Sequence, residues 1–468
     1  MKKNFLLSLL FGFSLVLKAQ FEPLTYDREN NPGAFKISPQ IALSKSFYIG
    51  FPALSNFQIE LQNSGFTAYD LLGTDNGNFN DKWQSVLENL RPGNGFFFHA
   101  GTEWLQGALK NFDGTVYRFG FRTDFQAWFF HPVSFYRFVA YGNQNPENVI
   151  DISELNFNAE AYHTLYFGFS KQTGDFFKYG INFNLYNGAG NFSSYGNHGK
   201  IYYTQGQNNY YTHRFDDLNM LMHSSGISNL IEKDKIGTKD VNENQVRRDL
   251  IGKFLGTGNW GLGLDAGFDK SLNDRWRWTG AISDLGFIYY RSDAFSVRAH
   301  GSYAYEGVHV IFPDTPKDYW REIREDFRKS VPFDTTRNGY IKWRPFKIYT
   351  ALKFNYGNRL TDRDMARCPG EIRQPKSDSS FGFLGFYQNL QGKPYIGGGI
   401  VWTTYPFRQL NLRLAFTSDN YLKTNLSVSI QWHILGWYWY INAGNLLGYT
   451  DLAYSNGQTL QFGTFFAF

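Results

Sequence analysis

Hydrophobic and polar residues alternate along the end of the chain, from residue 408 to Phe468. In the segment 408–417 every second residue is a large apolar one, namely Leu410, Leu412, Leu414 and Phe416. The same alternation recurs in 421–432 and in 458–468. A period of two with one apolar and one polar face is typical of a strand that separates two different environments. We therefore predict a membrane β-barrel whose last strand ends at Phe468.

Similar alternation covers most of the chain after residue 94. It predicts fourteen wall strands: 95–109, 114–130, 152–171, 176–187, 258–268, 276–291, 295–311, 346–357, 381–388, 393–404, 408–417, 421–432, 434–444 and 458–468. The predicted fold is therefore all-β, a transmembrane antiparallel barrel of about fourteen strands. An even number agrees with single-chain bacterial barrels. A count of sixteen stays open, because the polar insertion 188–257 could hold further strands at 200–205 and 210–222.

The segments outside these strands predict a plug, an insertion and short helices. Residues 20–94 lack long alternations and are predicted to form an amino-terminal plug or periplasmic segment, with short strands near 57–62 and 66–72. Helical patterns occur at 81–90, 132–141 and 316–329. If Phe468 ends in the periplasm, counting strands places the helix 316–329 outside the cell. The same count places the insertion 188–257 in the periplasm, where barrel loops should be short.

Residues 1–19 resemble a secretory signal peptide. Lys2 and Lys3 precede an apolar stretch from Phe5 to Leu17, and the predicted cleavage follows Ala19. The apolar stretch is shorter than the roughly 20 residues that a membrane-spanning helix needs. With a barrel at 95–468, this export signal predicts the outer membrane of a Gram-negative bacterium.

The composition agrees with a barrel and excludes several other classes of protein. Mean hydropathy is −0.41, as in a soluble protein, yet aromatic residues make up 19% of the chain. A barrel explains both values, because lipid-facing residues alternate with polar lumen residues and aromatic girdles line both interfaces. A large soluble β-sandwich or propeller is the alternative. The formal charge falls from +5 to +2 without the three lysines of 1–19, and the basic residues are not clustered, so we expect no nucleic-acid partner. Cys368 is the single cysteine, which excludes an intramolecular disulfide and a cysteine-based zinc site.

Charged residues recur on the predicted lumen face of three strands. The candidate cluster consists of His99, Glu103, Arg118, Arg122, Asp124, Arg298, His300 and Glu306. One interpretation is a selectivity or substrate site, and the other is a paired polar core that braces a narrow barrel. His163 falls in the lipid-facing register, but no serine shares its face to form a hydrolytic site. We expect no enzyme, no metal and no cofactor.

Two short motifs suggest a relationship to known barrels. The turn Asn31-Pro32-Gly33, the segment Tyr48-Ile-Gly-Phe-Pro-Ala-Leu-Ser-Asn56 and the aromatic closing strand resemble a large group of uncharacterised outer-membrane barrels of Bacteroidetes, known only as a domain of unknown function. More distantly, an Asn-Pro segment before about fourteen strands is similar to the FadL-like barrels. That resemblance implies a hatch in the lumen at Asn31, Pro32 and Gly33 and the movement of hydrophobic molecules. Gly33 stands where that superfamily usually has alanine.

Two function classes follow from these observations. The first is a porin-like transporter or channel for hydrophobic or amphipathic solutes. The alternative is a non-transporting barrel that anchors or assists a secretion or surface-assembly complex. The expected partners are outer-membrane lipid, a hydrophobic solute or a secretion-complex subunit, and the barrel-assembly machinery, which by resemblance recognises the strand ending at Phe468. An open or apolar lumen would favour transport, whereas a filled lumen with exposed aromatic loops would favour anchoring.

Overall fold

The computed structural model describes residues 22–74, 77–142, 148–174, 176–205, 211–226, 252, 258–306, 319–360, 376–407, 409–420 and 425–468. The predicted signal peptide 1–19 lies outside these residues, as do most of 227–257 and the start of the predicted helix 316–329. No helix in the described part of the chain is long and apolar enough to cross a membrane.

The described strands form one sheet of twenty-one strands. They are β1 (Phe47–Gly50), β2 (Phe57–Asn63), β3 (Gly95–Lys110), β4 (Val116–Phe130), β5 (Ile150–Asp151), β6 (Phe157–Thr173), β7 (Phe177–Ser194), β8 (His198–Gln205), β9 (Tyr211–Ser225), β10 (Trp260–Ser271), β11 (Trp276–Tyr290), β12 (Ala294–Tyr305), β13 (Phe333–Thr336), β14 (Tyr340–Trp343), β15 (Lys347–Leu360), β16 (Lys376–Leu390), β17 (Lys393–Phe407), β18 (Leu410–Asp419), β19 (Asn425–Ile434), β20 (Trp437–Gly444) and β21 (Gly457–Ala467).

The sheet closes into a barrel with fourteen antiparallel wall strands, so the predicted fold class is confirmed. The wall runs from β3 through β4, β6, β7, β10, β11 and β15 to β21. β1 and β2 then act as one interrupted strand, since both pair with β21 on one side and with β3 on the other. Alternation sets the two faces as expected: Leu412 and Leu414 of β18 point outward, while Asn411 and Arg413 are buried inside.

The number of wall strands was predicted correctly, but one member was wrong. The predicted wall strand 295–311 corresponds to β12, which pairs with β9 and β13 outside the wall. The missing wall strand is supplied by 47–63, within the predicted plug segment. An alternating pattern could not distinguish the two, because a sheet with one covered face outside the wall has the same period of two as the wall itself.

Beyond the wall, β5, β8, β9, β12 and β13 form an outer sheet. It grows from the last residues of β7, where Asn191–Ser194 pair with β9 instead of β10. A helix, α5 (Tyr319–Ser330), packs on this sheet through Phe327, whose ring contacts those of Phe215 and Tyr303 at 5.3 and 5.4 Å between centroids. The predicted extra strands at 200–205 and 210–222 therefore exist as β8 and β9, but they do not enlarge the barrel.

The two ends of the barrel differ in the length of their connections. The turn end holds Phe468 and the short connections 111–115, 174–176, 272–275, 408–409 and 435–436, together with 361–375, which lies outside the described residues. At the loop end the wall strands are linked across the long intervals 64–94, 131–156, 195–259 and 291–346, and across the shorter ones 391–392, 420–424 and 445–456. The described parts of the insertion, 188–205 and 211–226, therefore lie at the end opposite Phe468, beside α5. The expected position of this insertion at the Phe468 end was wrong, because the strand count from Phe468 included β12 as a wall strand.

Short helices cover the loop end. They are α2 (Ala68–Leu72), α3 (Phe79–Asn89) and α4 (Val133–Tyr141). The short strand expected at 66–72 is helical instead. Thr67 and Asp70 form a reciprocal capping box, which satisfies the first backbone N–H groups of α2 and favours the helix. A remaining one-turn helix, α1 (Glu22–Thr25), lies inside the barrel with the residues that follow it.

Candidate functional site

The register of β3 and β4 brings four of the predicted lumen residues together. Gly101 faces Asp124 and Glu103 faces Arg122, so that alternate side chains of the two strands point inward side by side. Asp124 Oδ1 lies 2.9 Å from His99 Nε2 and 2.8 Å from Arg122 Nη2. Arg122 Nη1 lies 3.7 Å from Glu103 Oε2. These four buried groups form a paired cluster of two carboxylates, a guanidinium and an imidazole.

Arg118 lies on the same inner face but outside this cluster. Its side chain is buried, and among the described residues none of its three nitrogens has a hydrogen-bond partner. Its guanidinium lies over the ring of Phe35, 5.5 Å from the centroid. A cation above an aromatic face is attracted by the ring, and this attraction offsets part of the hydration energy that the cation loses on burial.

Arg298, His300 and Glu306 are not lumen residues, so their assignment to the predicted cluster is corrected. The first two belong to β12 and Glu306 follows it, and β12 lies in the outer sheet. Arg298 is exposed and its Nε donates to Asn219 Oδ1 at 2.8 Å. His300 Nδ1 lies 3.6 Å from Asp334 Oδ2. The misassignment has the same cause as the error in the list of wall strands.

His163 points outward, as the sequence predicted, but it is covered by its neighbours. Its Nδ1 lies 2.8 Å from Thr123 Oγ1, and Trp104 Nε1 donates to the same oxygen at 2.8 Å. This hydrogen-bonded row satisfies polar groups on the outer face of the wall, where lipid offers no partner.

Residues 22–46 form a plug inside the barrel. Leu24, Tyr26, Phe35 and most of their neighbours are buried against the inner wall. Wall side chains reach the plug backbone: Gln106 donates to Pro32 O at 2.8 Å and Asn182 donates to Phe35 O at 2.9 Å. The predicted segment 20–94 is thus divided into this plug, the wall strand 47–63 and the helices of the loop end.

The Asn31-Pro32-Gly33 turn begins a short 3₁₀ helix at the centre of the plug. The Asn31 side chain accepts a hydrogen bond from Gly33 N at 2.9 Å, and Pro32 supplies the fixed φ of the first helical position. A Cβ on Gly33 would lie 2.4 Å from the hydroxyl of Tyr440 on β20. The close approach of the plug backbone to this tyrosine therefore leaves no room for the methyl group of an alanine.

Every charged side chain from Glu22 to Lys36 bonds to the wall. Glu29 pairs with Arg277 at 2.7 Å, and Lys36 lies 3.2 Å from Asp284 and 3.7 Å from Asp124. Three further groups of the plug have wall partners: Glu22 bonds to Lys347 and Tyr349, Asp27 pairs with Lys353, and Arg28 donates to Asn411, Ser429 and Asn442. Burial by itself raises the pKa of Glu22, but the charge and hydrogen bond of Lys347 and the hydroxyl of Tyr349 outweigh burial and hold that pKa below its ordinary value.

A second buried ion cluster lies nearer the loop end. Glu160 accepts from Arg344 at 2.5 Å and from the Tyr290 hydroxyl at 2.7 Å, and Lys342 lies 3.6 Å away. The Arg344 guanidinium stacks on the ring of Tyr162 at 3.7 Å. Sequence reasoning missed this cluster, since Lys342 and Arg344 stand in and just after the short strand β14, where no strand was predicted.

Protein fills the described part of the lumen. Inward side chains of the wall are buried along the barrel, as are those of the plug. A cavity between Lys353 and Arg413 has a volume of about 10 Å³, which is room for one water molecule. Among the described residues no cluster of three or more metal-ligating side chains occurs. Chemically, the described lumen lining is polar, and many of its charged groups form ion pairs, whereas Arg28 and Arg118 contact uncharged groups.

Comparison with protein families assigns the chain. The model of a family of unknown function (DUF5723) matches residues 39–444. The chain belongs to this family. The predicted membership of a family without known function is thereby confirmed, whereas the Bacteroidetes origin stays a prediction. No curated protein matches the chain.

Solved structures of similar shape cover most of this DUF5723 chain at low identity. A FadL homologue of Pseudomonas aeruginosa has 10% identity and a TM-score of 0.45 and covers 94% of this chain and 95% of its own. The toluene transporter TbuX of Ralstonia pickettii has 9% identity and a TM-score of 0.37, with 94% of both chains covered. The toluene transporter TodX of P. putida has 9% identity and a TM-score of 0.34, with 94% of this chain and 93% of its own covered. Similarities at this level assign no function to the chain.

Proposed function

We propose that this protein is an outer-membrane barrel that anchors a partner at its loop end and does not conduct solutes in the state described here. The observation that carries the proposal is the filled lumen. The plug and the inner wall neutralise each other's charges through at least four buried ion pairs. Breaking such a pair leaves a buried charge without its partner and costs about 3–5 kcal/mol, so the plug is firmly held.

The loop end supplies the surface that an anchor needs. Short periplasmic turns and long extracellular loops are typical of outer-membrane barrels, which supports an extracellular position for the loop end. There, the outer sheet and α5 carry exposed aromatic side chains, with Trp320 78% and Phe333 56% exposed. Exposed aromatic groups on a rigid support are typical of protein-binding surfaces.

A second candidate is transport of hydrophobic or amphipathic solutes after the plug moves. It is favoured by the position of the plug, which precedes the first wall strand. The plug is covalently connected to the wall at Phe47, and its other bonds to the wall are noncovalent. The plug could leave the lumen without unpairing any wall strand. Some of the similar structures are transporters, which is consistent with this second candidate, but their similarity to this chain is too low to support it.

Conductance in a planar bilayer distinguishes the two candidates. The full chain should show no steady conductance, and its vesicles should exclude toluene-sized solutes to the same extent as protein-free vesicles. A variant lacking residues 22–45 should conduct, because Asp284, Arg277 and Lys347 would then face water. Steady conductance or solute uptake by the full chain would overturn anchoring in favour of transport.

The partner side of the proposal needs its own test. A photo-crosslinking amino acid at Trp320 or Phe333 should give a discrete adduct in cells, whereas one at Phe112, exposed in a hairpin of the turn end, should not give that adduct. The protein identified in the adduct should leave the cell surface when the β8–β9 hairpin is deleted. Identical adducts at all three positions, or retention of the protein, would contradict the proposal.

We also propose that the barrel-assembly machinery recognises the strand β21 and its terminal Phe468. The ring of Phe468 is exposed and lies 4.9 Å from that of Phe47. It is therefore available at the seam where the first and last strands close the wall.

A further inference from the structure

The segment Tyr48–Asn56 contains a break in the first wall strand. β1 ends at Gly50 and β2 begins at Phe57, and the residues between them form a turn that stands out from the wall. Leu54 N donates to Phe51 O at 3.0 Å, and the turn is held to β21 by two bonds, Phe51 N to Thr464 O at 3.1 Å and Thr464 N to Leu54 O at 2.9 Å. Phe51 and Leu54 are 44% and 43% exposed on the lipid-facing side.

This turn forms one side of an outward-facing groove. The groove has a volume of about 380 Å³, and its other side consists of outward side chains of β19, β20 and β21. They are Trp432, Trp437, Trp439, Ile441, Phe462 and Thr464. The volume falls within the range of roughly 300–1,000 Å³ that is typical of sites for small molecules.

The hydroxyl of Thr464 in the groove is already bonded within the protein. The Thr464 hydroxyl accepts from Trp437 Nε1 at 2.5 Å and donates to Tyr438 O at 3.0 Å. Behind the groove, the Tyr440 hydroxyl points into the barrel and donates to Ser55 O at 3.1 Å. The lining is therefore mainly apolar and offers contact to hydrocarbon.

The position of the groove indicates its occupant. It opens onto the same outward face as the exposed apolar side chains of the wall, so it is continuous with the surface that contacts lipid. Thr464 lies four residues before Phe468, which is roughly 13 Å along a strand from the turn end. Stacked tryptophans such as Trp437 and Trp439, with 5.1 Å between ring centroids, prefer the headgroup level of a membrane.

We infer that this groove is a binding site for one acyl chain of a phospholipid in the leaflet at the turn end. The headgroup lies at the level of the tryptophans, and the chain lies between the Phe51–Leu54 turn and β20. This inference rests on the membrane location in the proposed function, but it needs neither passage through the lumen nor a protein partner, so it does not depend on the choice between anchoring and transport.

The test uses the full chain in vesicles of phosphatidylethanolamine and phosphatidylglycerol that contain a trace of phospholipid with a photoreactive acyl chain. Labelled peptides are mapped by mass spectrometry. Residues of the groove should be labelled severalfold more than Phe167 and Phe183, which are exposed on another part of the wall. The label in the groove should saturate as the trace lipid increases, while that at Phe167 should rise in proportion.

A matched pair of double variants checks the geometry. F51A/L54A removes one side of the groove and should reduce labelling there to the level at Phe167. F167A/L185A removes the same two residue types from the wall and should leave groove labelling unchanged. Heat-modifiable migration on a gel shows that both variants are folded. Equal labelling of groove and wall, or groove labelling that survives F51A/L54A, would overturn the inference. Competition by a free apolar solute but not by unlabelled phospholipid would overturn it in favour of a solute site.

Discussion

At the scale of single residues, side chains on the inner face of the barrel pair with residues that are distant in the sequence. Sequence spacing therefore does not reveal these pairs. Lys36 of the plug reaches Asp124 on β4 and Asp284 on β11, residues that are far apart in sequence. Gly33 fits against Tyr440 with no room for a Cβ. The plug, residues 22–46, has no long alternation of apolar and polar residues. These contacts with the wall explain why particular residue types occur in it.

The Gly33–Tyr440 contact predicts the effect of a single methyl group. Gly33→Ala should destabilise the plug by about 1–3 kcal/mol, the usual cost of overpacking. The measurement is the rate at which trypsin cleaves within 22–46, which should rise. Tyr440→Phe, which removes the hydroxyl, should partly restore protection in the double variant. Gly385→Ala is the control, because a Cβ there meets only Thr350 at an ordinary 3.5 Å. Unchanged cleavage of Gly33→Ala would contradict the contact.

At the scale of elements, the buried His131 packs against the helices of the loop end. His131 follows β4 and contacts Phe66 and Tyr136 near α2 and α4. Its Nε2 lies 3.0 Å from Asn63 Oδ1, and among the described residues Nδ1 has no hydrogen-bond partner. Burial lowers the pKa of His131 to about 4. The folded protein therefore keeps this imidazole neutral, with Nε2 as the donor.

This histidine predicts a pH dependence with a defined sign. The unfolded state takes up a proton near the ordinary pKa of about 6.5, whereas the folded state does so near 4, so the stability of this region should fall as pH drops from about 6.5 towards 4. Hydrogen exchange of 64–94 and 131–141, corrected for intrinsic rates, should be faster at pH 5 than at pH 7.5. His131→Gln keeps a donor towards Asn63 and does not titrate, so it should remove most of the difference. An equal pH dependence in both proteins would rule out this role for His131.

At the scale of the whole molecule, the barrel closes where an interrupted first strand meets the last one. β21 pairs with both β1 and β2, and the closing contact at the chain end is a reciprocal pair of backbone bonds between Phe47 and Phe468, at 2.8 and 3.1 Å. Closure removes the sheet edges, which a membrane would otherwise leave without hydrogen-bond partners.

The seam predicts different outcomes for folding in cells and in vitro. Deleting Phe468 removes two backbone bonds, each worth about 1 kcal/mol, so refolding into detergent should be only mildly impaired. If the assembly machinery recognises the terminal ring, insertion in cells should fall severalfold, measured by heat-modifiable protein in the membrane fraction. Phe468→Ala, which keeps the backbone bonds, should show the same loss in cells, and Phe468→Tyr should not. Normal insertion of Phe468→Ala would exclude recognition of the ring.

The sequence alone determined the wall, because alternation with a period of two is a local property of each strand. Thirteen of the fourteen wall strands, the helix at 132–141 and the inward positions of His99, Glu103, Arg122 and Asp124 followed from it. It could not assign β12, because a strand with one covered face has the same pattern in the wall and in the outer sheet. Because the strand count from Phe468 included β12, the predicted side of the insertion 188–257 was inverted.

Tertiary structure alone decided what fills the barrel and where its wall is broken. The plug has no period that points to a lumen, since its residues bond to many strands at once: Arg28 alone reaches β18, β19 and β20. The turn at Phe51–Leu54 becomes a groove only because the tryptophans of β19 and β20 lie beside β21 after closure. Alternation records which side of a strand is polar, whereas pairing partners and cavities depend on which strands become neighbours.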